Sequence, residues 1–132
     1  MPVVDASVVV EFLVYGEHQQ AARERLGSGE PLWAPELLDA EVGQALRRYV
    51  RRHGLDAERA EEALRELGEL KVHRVPHEHL LQLAWMLRDN VSFYDALYVA
   101  LAAVLGEPLV TFDARLARGE LPAAVEVLPQ AA

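Results

Sequence analysis

The sequence contains no cysteine and a single lysine, Lys71, so disulfides and a lysine-rich nucleic-acid face are both excluded. Its longest uncharged apolar run, Ala96 to Gly106, falls well short of the roughly 20 residues needed to cross a bilayer. Met1 is followed by no basic region, so neither an export signal nor a membrane segment is expected, and with no cysteine a cytoplasmic location is the default expectation. Positive charge is scarce: 13 Lys and Arg against 21 Asp and Glu give a net charge of −8, which argues against broad phosphate binding but leaves room for a small metal-dependent site. Twelve of the basic residues are arginine, a bias that fits either genome composition or adaptation to heat. No glycine-rich phosphate loop and no dinucleotide fingerprint occurs, which removes nucleotide-triphosphate and dinucleotide enzymes. A receiver-type signalling domain would show an early adjacent pair of acids, and that pair is missing. What remains is 132 residues, 52% hydrophobic, a length that suits one domain over residues 1–132 burying about two-thirds of its unfolded surface.

Pro2-Val3-Val4-Asp5 opens a β-branched run without polar alternation, the pattern of a strand buried on both faces of a parallel sheet. Helical spacing follows over Ser7–Val14 and Glu17–Leu26, broken at Gly16 and at Gly27-Ser28-Gly29. Leu32-Trp33-Ala34 reads as a short strand, and Pro35 starts a helix to about Arg52 that Gly54 closes. Asp56 caps a further helix to about Glu69, Lys71–Val75 is strand-like, and Pro76 is expected to start a helix ending near Arg88. Ser92 caps the helix Tyr94–Leu105, which is apolar almost all round and therefore buried. Pro108–Thr111 and Val125–Leu128 complete the strands. Short strands alternating with longer helices predict an α/β fold, a three-layer α/β/α sandwich around a mainly parallel sheet. Trp33, Trp85, Phe93 and Tyr98 lie in apolar contexts and are expected in the core.

Four acids stand where such a sheet would present them. Asp5 and Asp113 each follow a short apolar strand, at the carboxyl ends where open α/β sheets bind ligands. Each could equally cap the helix that follows. Glu41 lies within the apolar stripe of its helix, three after Leu38 and four before Ala45, so a carboxylate faces the core. An acid there needs a partner, either a cation in a site or a structural salt bridge to Arg74 or Arg88. Neighbouring Asp39 is off the stripe and expected to be solvated. Asp95 sits in the first turn of the most buried helix, three after Ser92, where a capping role is also available.

Four carboxylates in one cleft would repel unless a cation neutralised them, and hard ions such as Mg²⁺ or Mn²⁺ prefer oxygen ligands. Phosphodiester hydrolysis suits such a site. His73, His77 and His79 have no Cys or nearby Asp to complete a transition-metal set and are expected at the surface. Arg47, Arg48, Arg51 and Arg52 form a basic end to the long helix, a solvated face that becomes a phosphate track if the substrate is RNA.

Val3-Val4-Asp5-Ala6-Ser7, Pro35-Glu36-Leu37-Leu38-Asp39-Ala40-Glu41-Val42, Tyr94-Asp95-Ala96-Leu97-Tyr98-Val99-Ala100 and Leu109-Val110-Thr111-Phe112-Asp113 together resemble the four acidic motifs of PIN-domain ribonucleases. Their order and spacing are most similar to the VapC-type toxins of bacterial toxin–antitoxin pairs. The resemblance implies Mg²⁺- or Mn²⁺-dependent cleavage of RNA, a homodimer, and a small antitoxin whose basic segment blocks the site. It implies Asp5, Glu41, Asp95 and Asp113 as metal-site acids and Ser7 and Thr111 as supporting hydroxyls; with RNA as substrate, Arg47, Arg48 and Arg51 of the basic helix end become candidate RNA contacts. Phe112 and Ala114 depart from the family pattern, which often places a polar residue beside the last acid. A nuclease without an antitoxin and a catalytically silent binding module are the alternative readings.

Overall fold

In a computed structural model, residues 1–14 and 18–130 are described. The expected break at Gly16 and helix start at Glu17 lie outside the described residues. Five parallel strands, β1 (Val3–Val4), β2 (Leu32–Pro35), β3 (Val72–Val75), β4 (Leu109–Thr111) and β5 (Val125–Val127), form one sheet in the order β3-β2-β1-β4-β5. Helices α1 (Ala6–Val14), α2 (Gln19–Leu26), α3 (Leu37–Arg52) and α4 (Ala57–Glu69) occupy the crossovers from β1 to β2 and from β2 to β3. Helices α5 (Leu81–Met86) and α6 (Phe93–Leu105) occupy the crossover from β3 to β4. The sheet winds outward from β1 in one direction and from β4 in the other, so strand order reverses between these two neighbours. That arrangement is the expected α/β/α sandwich, and its switch point is where a ligand cleft opens.

The strands are short because each needs to cross only the middle of a sheet covered on both faces, and β1, β4 and the inner part of β2 are buried. Seven consecutive residues of α6, Ala96 to Ala102, are buried, and α6 packs against β1, β2 and β4. A fully buried Leu or Val stabilises by about 1.5–3 kcal/mol, so α6 contributes heavily to the core. Its ends are fixed locally: the Ser92 hydroxyl accepts the Asp95 amide at 3.1 Å, and Gly106 takes the left-handed conformation at φ 67° that closes the helix.

Three expectations are corrected. Pro76 does not open a helix to Arg88. Pro76 is extended, His77–His79 form a single 3-10 turn, and α5 is limited to Leu81–Met86. Trp85 and Phe93 are not core residues, with 58% and 38% of their surface exposed, because α5 and the start of α6 lie at the molecular surface. Tyr98, by contrast, is buried, and Trp33 is half-buried and stacks on His73. His77 is not simply a surface histidine: its Nε2 accepts the Leu37 amide at 2.9 Å, which supplies the partner that the uncapped start of α3 lacks.

Candidate active site

Parallel pairing places Val3 beside Leu109 and Val4 beside Val110, so the residues just past β1 and β4 emerge side by side. The Asp5 amide donates to the Val110 carbonyl at 3.2 Å and fixes the end of β1 against β4. Both Asp5 carboxylate oxygens are then engaged. The Ser7 hydroxyl donates to Oδ1 at 2.6 Å, and the Thr111 hydroxyl donates to Oδ2 at 2.5 Å. The two hydroxyls also accept from the other strand's exit, Ser7 from the Phe112 amide at 3.1 Å and Thr111 from the Asp113 amide at 2.9 Å. Asp5 Oδ1 further accepts the Val8 amide at 3.4 Å, so it caps α1 and lines the cleft at once.

Asp5, Glu41, Asp95 and Asp113 all line one open cleft of about 630 Å³, with Ser7, Arg48, Tyr94 and Tyr98. They come from four separate segments: the end of β1, the second turn of α3, the first turn of α6 and the end of β4. Burial pushes the Asp5 carboxyl up to about 6 against the opposing effect of its hydroxyl partners, with Asp95 adding a smaller repulsion. Burial raises Glu41 as well, opposed by the Tyr98 hydroxyl beside it and more weakly by Arg48, with repulsion from Asp95 adding to the rise. Asp95 itself is raised by burial and by Asp113. Asp95 is thus the acid whose charge reaches the other three. Asp113 runs the other way: Arg115 pairs with it through two hydrogen bonds, 3.0 and 2.7 Å, and holds its carboxyl below the ordinary range. Asp113 also accepts the Arg115 amide, so its capping role is real.

Glu41 makes no ion pair with Arg74 or Arg88 among the described residues. Arg74 Nε instead binds both carboxylate oxygens of Asp39 at 2.9 Å, and Arg88 donates to the Trp85 carbonyl. Asp39 is exposed, and its partner is that guanidinium. Of the arginines on α3, the structure brings only Arg48 to the cleft; Arg47 and Arg51 line a different groove, beside Leu46, Val50 and Leu64 of α3 and α4. The separation follows from helix geometry, since Arg48 lies two turns after Glu41 while Arg47 and Arg51 turn away from it. Tyr98, buried at the base of the cleft, was expected only as a core residue. The signal that could have singled it out is its position three after Asp95 on the same helical face.

Among the described residues no three His, Asp or Glu side chains are gathered into a ready-made ligand cluster. The donor set still suits a hard cation: it is all oxygen, three of the four acids are raised by burial, and Mg²⁺ characteristically uses one or two carboxylates and retains water.

A five-stranded parallel sheet between helical layers, with an acidic cleft at its switch point, defines an α/β/α sandwich with an acid-lined candidate active site. Residues 3–120 match the PIN domain, and the chain belongs to the PIN-domain family. It is 47% identical over 116 residues to ribonuclease VapC1 of Mycobacterium tuberculosis, a match spanning 87% of each chain. Among solved structures it is similar to VapC20 of Mycobacterium tuberculosis, a sarcin–ricin loop cleaving toxin, with a TM-score of 0.70 and 22% identity, covering 98% of this chain and all of that one. It is also similar to a chain of a toxin–antitoxin complex from Klebsiella pneumoniae, with a TM-score of 0.71 and 15% identity over 96% and 97% of the two chains. No helix among the described residues is long and apolar enough to cross a membrane.

Proposed function

We propose that this protein is a metal-dependent endoribonuclease, the toxin of a type II toxin–antitoxin pair, with Asp5, Glu41, Asp95 and Asp113 as its metal-site acids. The observation that carries the reading is the convergence of these four acids, from four chain segments, on one cleft where Asp95 is electrostatically linked to each of the others. Kinship with proteins named as VapC ribonucleases supports the substrate class. Mg²⁺ or Mn²⁺ held by these carboxylates would supply an activated water and stabilise charge on the leaving oxygen.

The chain's own residues do the rest. Ser7 and Thr111 hold the Asp5 carboxylate in one orientation and tie it to the end of β4. Asp95 stands in the first turn of the most buried helix, its backbone amide held by the Ser92 cap. Arg48, exposed at the cleft, is placed to meet an RNA phosphate. The open shape of the cleft suits a single-stranded segment.

The partner in this reading is a small antitoxin with a basic segment, whose arginine would pair with the acids and exclude the cation. Similarity to a chain of a toxin–antitoxin complex supports it, and a homodimer accompanies the same reading.

The test is RNA cleavage by the purified chain with Mg²⁺ or Mn²⁺, beside Asp5→Asn and Asp95→Asn. Loss of cleavage in folded variants is expected, because each swap keeps shape and removes a ligand charge. Full activity in either variant overturns the site. Co-expression with the neighbouring reading frame should yield a complex, and its absence would leave a nuclease without an antitoxin.

A further inference from the structure

Tyr98 has 2% of its surface exposed, and its hydroxyl is buried with no hydrogen-bond partner of normal geometry. Buried polar groups without partners are rare in folded proteins, and those that persist point to a missing ligand or a functional rearrangement. The ring is held by the packing of α6, so the hydroxyl has little freedom to find another acceptor. It faces Glu41, with Asp5 and Asp95 also within electrostatic reach, and all four residues line the same cleft. A phenol among carboxylates has one useful capacity, since it is the donor and they are the acceptors.

We propose that Tyr98 is a positioning residue for Glu41: its hydroxyl donates to one carboxylate oxygen and thereby aims the other at the cation. The inference rests on the metal-site reading above. Glu41 is carried by α3 and Tyr98 by α6, elements from opposite layers, so the contact would lock the two sides of the cleft in register. Partners that orient metal ligands in this way typically change metal affinity by 10–100-fold when removed.

Tyr98→Phe keeps the ring and deletes the donor. Mn²⁺ affinity measured by titration calorimetry and electron paramagnetic resonance should weaken about 10-fold, while the metal-free melting temperature stays level or rises, because a hydroxyl without a partner has no bond to lose. A merely structural tyrosine would lower the melting temperature and leave Mn²⁺ affinity alone. The double variant Glu41→Gln/Tyr98→Phe should bind no more weakly than Glu41→Gln alone, since the acceptor charge that Tyr98 serves is already gone. Parental Mn²⁺ affinity in Tyr98→Phe, with Glu41→Gln weakened, overturns the positioning role and leaves the metal site standing. Unchanged affinity in Glu41→Gln and Asp95→Asn overturns both.

Discussion

Thr111 donates its hydroxyl to Asp5 across 106 residues of sequence, at 2.5 Å, and accepts the Asp113 amide with the same oxygen. One side chain therefore satisfies the first acid and shapes the turn that carries the last. Thr111→Val, equal in shape, should cost about 1–3 kcal/mol by stranding the Asp113 amide and one Asp5 oxygen. Thr111→Ser should recover most of it. Urea unfolding of the three proteins is the measurement, and equal midpoints would refute the coupling.

The raised Asp5 carboxyl gives stability a definite pH dependence. A carboxyl whose folded pKa, about 6, exceeds its unfolded value of 3.8 destabilises the charged folded state. The penalty is absent below pH 3.8, grows between 3.8 and about 6, and is complete above that, reaching about 3 kcal/mol by the usual conversion. In metal-free protein, Asp5→Asn should gain on the parent as pH rises through this window. Parallel melting curves from pH 4 to about 7 would show that Asp5 carries no such penalty.

Mg²⁺ at tenfold over its dissociation constant should stabilise the parent by about 1.4 kcal/mol, roughly 3–5 °C for a domain of this size. Asp95→Asn should gain least among the four acid variants, because Asp95 is the acid coupled to all the others. Calorimetry across a Mg²⁺ and Mn²⁺ series decides this, and an equal gain in Asp95→Asn counts against its central place.

Arg115 competes with any cation for Asp113. Its side chain is 80% exposed, so the pair adds little to stability, but it neutralises the one acid of the four in the cleft that is held below the ordinary range. Arg115→Gln should raise Mn²⁺ affinity several-fold at low salt, with the gain shrinking as salt screens the pair. No gain at low salt would mean that Asp113 takes no part in holding the cation.

The His77 ring caps the start of α3, 40 residues away in sequence. His77→Ala should cost about 1 kcal/mol, the usual loss for a helix cap, and should loosen the helix that carries Glu41. Equal unfolding midpoints for variant and parent would remove the cap from the account.

The sequence announced each acid by a local signal: Asp5 and Asp113 by the apolar strands before them, Glu41 by its place in a stripe, Asp95 by its cap. Alternation of strands and helices announced the sandwich. What local patterns do not carry is which strands are neighbours, so the adjacency of β1 and β4, and with it the bonds from Ser7 and Thr111 to Asp5, rests on the resemblance or on the structure. Trp85 and Phe93 show the same limit from another side, since apolar character favours burial without ensuring that an element has a core to face. His77 gave no sign at all, because a histidine that caps a distant helix looks like any other. Arg48 was separable from Arg47 and Arg51 by helical phase, being seven residues from Glu41.

The pairing of β1 with β4 also sets when the cleft can exist. The strand leading to Asp5 is made before its neighbour at the switch point, which follows more than a hundred residues later. A ribosome-bound chain that has not released β4 holds Asp5 without Thr111, Phe112 or Asp113 beside it, and has no place for the acids to meet. Contacts of such wide separation close late and slowly. The acid site is therefore absent from every shorter intermediate of translation, and a chain cut before residue 109 should fold into nothing that cleaves.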